Sequence, residues 1–243
     1  MYSPARHHIA GVFVLIIILS SISANSYAQD KLELIHANEL RNVQRNGKNV
    51  QQLDGAVQFR RGKYDMYCDN AIRYEATDIS IFWGNVRVYG KSDTLTSDSL
   101  TVYNRRDILY ARGRAKLRSD RRTLSGKRIR YYTEKDEAHA AGNVEMQDRT
   151  QYIEADSVWY NRETEDARIY GKRGQFASVY DSDERIKISG PVIVQNLKTE
   201  SLKATLRPVL TKLDSSMRQV VRIKGNTITG NPDSGRYVAR EEV

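Results

Sequence analysis

Paired carboxylates are the residues of this chain whose spacing comes nearest to catalysis. Asp65 with Asp69, or Asp98 with Glu75, would supply the acid and the base with which glycan-cleaving enzymes work. A catalytic pair occurs once, however, whereas these aspartates come back at intervals, Asp98 being matched by Asp156, among Ser, Asn and Gly. That recurrence gives them a structural task, because short polar side chains bond locally freed backbone at turns and corners. Other chemistries find less material. His7 and His8 precede an apolar run, leaving His36 and His139, too few for a histidine-rich metal site. The stretch Gly84 to Gly90-Lys91-Ser92 is one residue too long for a phosphate loop, and no G-x-S-x-G is present. The single cysteine, Cys68, has no partner for an internal disulfide and is expected as a small buried residue. The expectation is a protein that is not an enzyme, with no catalytic residues, no metal and no cofactor.

Any site must be held by the elements around five glycines, Gly55, Gly84, Gly113, Gly142 and Gly171, each 29 residues after the last. Alternate residues around the first four are small or apolar: Leu53, Val57 and Phe59; Phe82, Val86 and Val88; Ala111, Ala115 and Leu117; Ala140, Val144 and Met146. Period two is the signature of a strand with one wet face. A second strand follows each glycine, with Met66, Leu95, Leu124 or Ile153 eleven residues on and Ala71, Leu100, Ile129 or Val158 sixteen on. Eleven and sixteen differ in parity, so strict alternation would expel one of the two groups. An extra residue at Ser97-Asp98-Ser99 and at Ala155-Asp156-Ser157 restores the phase, as a bulge or corner does. A fixed period of this length predicts an array of rungs.

Short polar segments separate the strands: Arg61-Gly62-Lys63, Gly90 to Asp93, Arg118 to Arg121 and Gln147 to Arg149 on one side, Glu75 to Asp78, Asn104 to Asp107 and Thr133 to Asp136 on the other. Connections this short join antiparallel neighbours. Tyr74, Tyr103 and Tyr132 recur as strand-end packing residues. Ile35 to Leu40 reads as a half copy before the first glycine. After Gly171 the interval drifts, but Ile186, Ile188, Gly190, Val192 and Val194 repeat the inward set, Leu202, Ala204 and Leu206 give a strand stopped by Pro208, and Val221, Ile223 and Gly225 begin again.

Residues 1–28 read as a cleaved signal peptide: Arg6, an apolar run from Ile9 to Leu19, then Ser26-Tyr27-Ala28. An apolar run of this length is short of the roughly 20 residues that span a membrane. The repeat domain is expected over 29–230 and a polar C-terminal tail over 231–243, with the exported chain expected in the periplasm. A net charge of +9 favours acidic partners, and export removes nucleic acid from among them.

Bent strands stacked in register enclose an interior lined by the alternate residues. Facing walls either meet in a dry core or splay into a trough for acyl chains, and composition is consistent with both. The phrase Gly84-Asn85-Val86-Arg87-Val88 with Asp93-Thr94-Leu95-Thr96-Ser97-Asp98-Ser99-Leu100-Thr101-Val102-Tyr103 resembles the repeating unit of the OstA-like family, the family of LptA and the LptD N-terminal domain. Gly142-Asn143-Val144-Glu145-Met146 with Ile153-Glu154-Ala155-Asp156-Ser157-Val158 is a second match, and the similarity covers roughly Leu32 to Leu206. The resemblance implies an all-β, V-shaped antiparallel β-jellyroll that carries lipopolysaccharide, with lipid A acyl chains against the inward apolar positions. It also implies head-to-tail assembly into a bridge between LptC-like inner-membrane and LptD-like outer-membrane partners. The alternative function is a secreted repeat protein that acts on or adheres to glycans.

Overall fold

The computed structural model describes residues 31–119, 121–231 and 234–241, so the expected signal peptide lies outside the described residues. Ten strands come first: β1 (Leu32–His36), β2 (Glu39–Arg45), β3 (Lys48–Arg61), β4 (Tyr64–Tyr74), β5 (Ile79–Tyr89), β6 (Thr94–Tyr103), β7 (Ile108–Arg118), β8 (Arg122–Tyr132), β9 (Glu137–Asp148) and β10 (Gln151–Asn161). Nine shorter ones follow: β11 (Asp166–Tyr170), β12 (Ala177–Asp181), β13 (Ile186–Gly190), β14 (Val192–Asn196), β15 (Leu202–Thr205), β16 (Val209–Leu213), β17 (Gln219–Lys224), β18 (Thr227–Asn231) and β19 (Arg236–Arg240). All pairings are antiparallel, and the strands form one continuous sheet.

Corners fold that sheet lengthwise into two facing walls. In β3, β5, β7 and β9 the register breaks at Gly55-Ala56, Gly84-Asn85, Gly113-Arg114 and Gly142-Asn143, each pair opposite one extra residue, Asp69, Asp98, Lys127 or Asp156. Two extra residues keep parity in the glycine strand and one reverses it in the partner, which is the phase change that the sequence demands. Both residues of each pair have positive φ, for example 76° at Gly84 and 51° at Asn85. Glycine is required at Gly84 twice over, since a Cβ there would lie 2.6 Å from Asp69 Oδ2. Asn85 Nδ2 donates to the same carboxylate at 2.9 Å, and Arg114 binds Asp98 at the next corner, so these aspartates brace corners.

Past β10 each bent strand becomes two short ones. The first half of β10 pairs with β12 and its second half with β11, and the walls continue as β13, β16 and β17 on one side and β14, β15, β18 and β19 on the other. Gly171 therefore differs from its four predecessors. It lacks positive φ and opens a loop to Phe176, where its missing side chain lets Ala177 N approach to 2.6 Å of the Cβ position. The half copy is a rung, β1 and β2 flanking Ala37-Asn38. Leu206 differs from expectation: it sits in a left-handed corner with φ 65° and is 63% exposed. Over 231–243 the structure also differs, because Arg236–Arg240 pair with β18. Polar composition hides such an edge strand, whose exposure calls for charged side chains.

Candidate functional site

The interior runs through the rungs in three layers. At the corners it is built largely from small residues, Ala111, Ala115, Ala140, Ala177 and Ala204, all 2% exposed or less. Larger apolar groups fill the middle, including the inward positions expected between Gly55 and Gly171. After Gly171 the expected phase fails at Val194, which is 44% exposed while Ile193 is fully buried, because the chain changes walls at Pro191 and the alternation of β14 shifts by one residue. Val57, Phe59, Met66, Phe82, Val86, Val88, Leu95, Leu100, Leu117, Leu124, Ile129, Val144, Met146, Ile153 and Val158 are buried in one cluster, none more than 8% exposed. Phe59 and Phe82 meet edge to face across the walls at 5.3 Å. In this conformation the walls touch: where the cluster meets the turn ends lies a void of about 20 Å³ lined by Val88, Leu95, Leu109 and Leu117 and by Asp93, Tyr131 and Arg162, barely the space of one water. Cys68 is buried near the corner, and burial pushes its thiol up to about 12.

The third layer was hidden in the sequence. Opposite the corners the two walls end in turns, and the inward residues there are polar: Arg61, Asp93, Arg122, Asp148 and Gln151 on one wall, Asn104, Tyr131, Tyr160 and Gln195 on the other. Arg61 reaches across to Asp107 and to the Asn104 carbonyl. Arg162, from the turn after β10, holds Asp93 of the other wall at 2.8 and 2.9 Å and also receives support from Asp136 and the Tyr131 hydroxyl. Arg122 donates to Asp148 at 2.7 Å, to Glu165 across the gap at 2.9 Å and to Tyr160 Oη at 2.6 Å. Gln195 Nε2 completes the row by donating to Gln151 Oε1 at 2.6 Å. These side chains form a seam along the long edge where no strand of the described residues passes between the walls.

Electrostatics holds the seam charged. Burial works against the charge of Arg122, but its bonds to Glu165 and Asp148 outweigh it and raise the guanidinium pKa. Arg122 in turn holds the Glu165 carboxyl below its ordinary range. Burial, joined by Asp136, pushes the Tyr131 phenol up, so it stays protonated. Beyond the Gln151–Gln195 bridge the seam widens into a charged cleft of about 630 Å³ lined by Arg122, Gln151, Glu165, Asp181 and Leu197.

Sequence reading placed Arg61, Asp93 and Asp148 in turns and missed their inward direction. The signal was available, since each lies two residues beyond an inward position, at Phe59, Leu95 and Met146. The carboxylates considered for catalysis do not converge. Asp65 pairs with Arg60 at 2.8 Å, Asp69 and Asp98 stand at corners, and Glu75 lies in the turn after β4 at the other edge of the wall. Among the described residues no group of His, Cys, Asp and Glu is arranged to hold a metal. No helix of the described residues is long and apolar enough to cross a membrane.

Comparison with curated protein sequences finds no match. Among solved structures, LptH of Pseudomonas aeruginosa, described as the LptA-homologous periplasmic component of the lipopolysaccharide transport device, matches with a TM-score of 0.43 at 14% identity, over 46% of this chain and 84% of LptH. The family described as LptA/(LptD N-terminal domain) LPS transport protein matches residues 34–201, from the first rung through β14. Since that match takes in the glycine corners, both walls and the seam, the chain belongs to the LptA/LptD N-terminal domain family of lipopolysaccharide transport proteins.

Proposed function

We propose that this protein is a non-catalytic periplasmic carrier that shields the acyl chains of lipopolysaccharide between its walls and passes them along the stack. The observation that carries the reading is the layering of the interior, apolar from corner to middle and polar along the one edge that no backbone closes. An amphiphile fits that gradient in one orientation, with its chains inward and its charged head at the seam. Each buried methylene contributes ~0.8 kcal/mol, so a few chains outweigh the side-chain bridges that must open to admit them. The residues that would meet the chains are the middle-layer positions, among them Phe59, Phe82, Val86, Met146 and Ile153.

Both ends of the stack support assembly. The first rung leaves Leu34 and Leu40 partly exposed on the inward face, and the last leaves Val221 and Ile223 so on β17. An open edge with an apolar inner face invites a further strand, and head-to-tail pairing of unlike ends makes an open row. Such a row, capped by LptC-like and LptD-like partners, would carry lipid from the inner to the outer membrane, with residues 1–28 serving only for export.

The test is to purify the exported chain from its own host and identify co-purifying lipid by mass spectrometry. Lipopolysaccharide bound in defined proportion supports the reading. A chain that emerges free of lipid and does not take up added lipopolysaccharide overturns it.

A further inference from the structure

The outer surface of the wall built from β7 to β11 holds a second feature, independent of the interior. Cross-strand register lays two rows of outward residues side by side. One is Tyr110, Arg130, His139, Trp159 and Arg168; the other is Arg112, Arg128, Ala141, Ser157 and Tyr170. Ala141 and Ser157 are small where their neighbours are large, and the deficit makes a concavity of about 660 Å³. Arginines stand on both sides of it.

Three properties of these arginines go beyond a solvated face. Arg112 lies directly opposite Arg128, a like-charge pairing that a sheet ordinarily disfavours. Among the described residues none of the four has a carboxylate within ion-pair distance, whereas Arg41, Arg60, Arg61, Arg114, Arg122 and Arg162 all do. Aromatic rings position three of them instead: Arg112 and Arg130 flank Tyr110, each 5.1 Å from its centroid, and Arg168 stacks over Trp159 at 5.1 Å. Stacking fixes a guanidinium through its flat face and leaves its N–H edge for a bidentate acceptor. His139 lies in the same row between Arg130 and Trp159, and burial, with a contribution from Arg130, lowers its pKa.

We infer that this concavity is an anion-binding site for a ligand carrying two closely spaced phosphate groups. Three guanidiniums lining one hollow, Arg128, Arg130 and Arg168, with Arg112 beside Arg128 and none of them held by a carboxylate, match a multiply charged ligand better than a single carboxylate, and a volume of several hundred Å³ suits a discrete molecule or headgroup. Two sources share this chemistry, a soluble sugar bisphosphate and the headgroup of a phosphorylated lipid.

The experiment is isothermal titration calorimetry of the full exported chain with inorganic pyrophosphate, on the parent and two variants. Arg112→Gln with Arg128→Gln removes charge, and Ala141→Phe fills the hollow and leaves the charge intact. Both change outward side chains, and circular dichroism verifies folding. The expected result is saturable binding in the parent, weakened at least tenfold in each variant and unchanged in Arg114→Gln, a corner control. Glucose 1,6-bisphosphate and vesicles containing a diphosphorylated lipid then distinguish the sources by which is bound more tightly. Absence of saturable pyrophosphate binding, or equal binding by parent and both variants, overturns the assignment. Because the hollow lies outside the trough, lipopolysaccharide uptake is expected to persist in Ala141→Phe, so failure here is separable from failure of the carrier reading.

Discussion

Replacing Arg122 by methionine probes the seam most sharply. Methionine keeps the unbranched apolar stem and removes all the donors, leaving Asp148, Glu165 and the Tyr160 hydroxyl without that partner. Arg122 is 11% exposed and each carboxylate 18%, so the pairs lie mostly out of water. Stranding a buried charge costs ~3–5 kcal/mol, and the residual exposure places this case near the lower end, ~3 kcal/mol. Arg114→Met is the matched control, because the Arg114–Asp98 pair has similar geometry with Arg114 88% exposed. Loss of an exposed pair costs ~0–1 kcal/mol. At roughly 2–4 °C per kcal/mol for a chain of this size, Arg122→Met should lower the melting temperature by roughly 6–12 °C and Arg114→Met by at most ~4 °C. Differential scanning calorimetry at neutral pH measures both. Equal shifts would refute the idea that buried bridges close the mouth.

The same comparison has a pH signature. The folded-state pKa of Glu165 is lowered by Arg122, so the unfolded chain takes up its proton first as the solution is acidified. The stabilisation is therefore complete above the unfolded carboxylate range and disappears as pH falls through the folded value. Parent and Arg122→Met should converge in stability in acid and separate toward neutrality.

Further outcomes follow from particular positions. Gly84→Ala should destabilise more than Gly174→Ala: both have positive φ, costing ~1–2 kcal/mol for an added Cβ, but only Gly84 also meets a neighbour, Asp69, within 3 Å. Urea midpoints decide this, and equal losses would show that the corner has room. The Cys68 thiol, pushed up to about 12 by burial, should resist Ellman's reagent at pH 8 until denaturant is added, and rapid native labelling would contradict the packing of β4. Val221→Lys with Ile223→Lys should abolish concentration-dependent self-association in sedimentation velocity with little change in melting temperature, since both residues are exposed on β17; unchanged association would remove the C-terminal end from the assembly.

The fold was readable because its rule is local and repeated. Parity between Met66 and Ala71, or Leu95 and Leu100, required one extra residue, and the structure puts it at Asp69 and Asp98. The inward apolar positions from Leu53 to Val158 followed from that phase, whereas Val194 and Leu206, expected inward beyond Gly171, face out. What escaped was set by contacts distant in sequence. Arg162 meets Asp93 and Arg61 meets Asp107 only because the walls fold onto each other, and a charged residue beside a glycine turn looks solvated until then. The outer hollow escaped for a similar reason: Tyr110, Arg128, His139 and Trp159 lie on four strands, and only the register makes them neighbours. Tyr74, Tyr103 and Tyr132 do close strand ends as expected, on the outer face, where Ile79 and Ile108 alternate with them across the strands.

The central claim is that acyl chains enter the space between the walls, and site-specific photocrosslinking in cells tests it most directly. A benzophenone amino acid replaces Phe82 or Met146 on the inside, or Arg87 or Glu145 on the outside of the same strands. The account predicts lipopolysaccharide adducts after irradiation at Phe82→p-benzoylphenylalanine and Met146→p-benzoylphenylalanine, and none at the two outward positions. Adducts at the outward positions alone would contradict it.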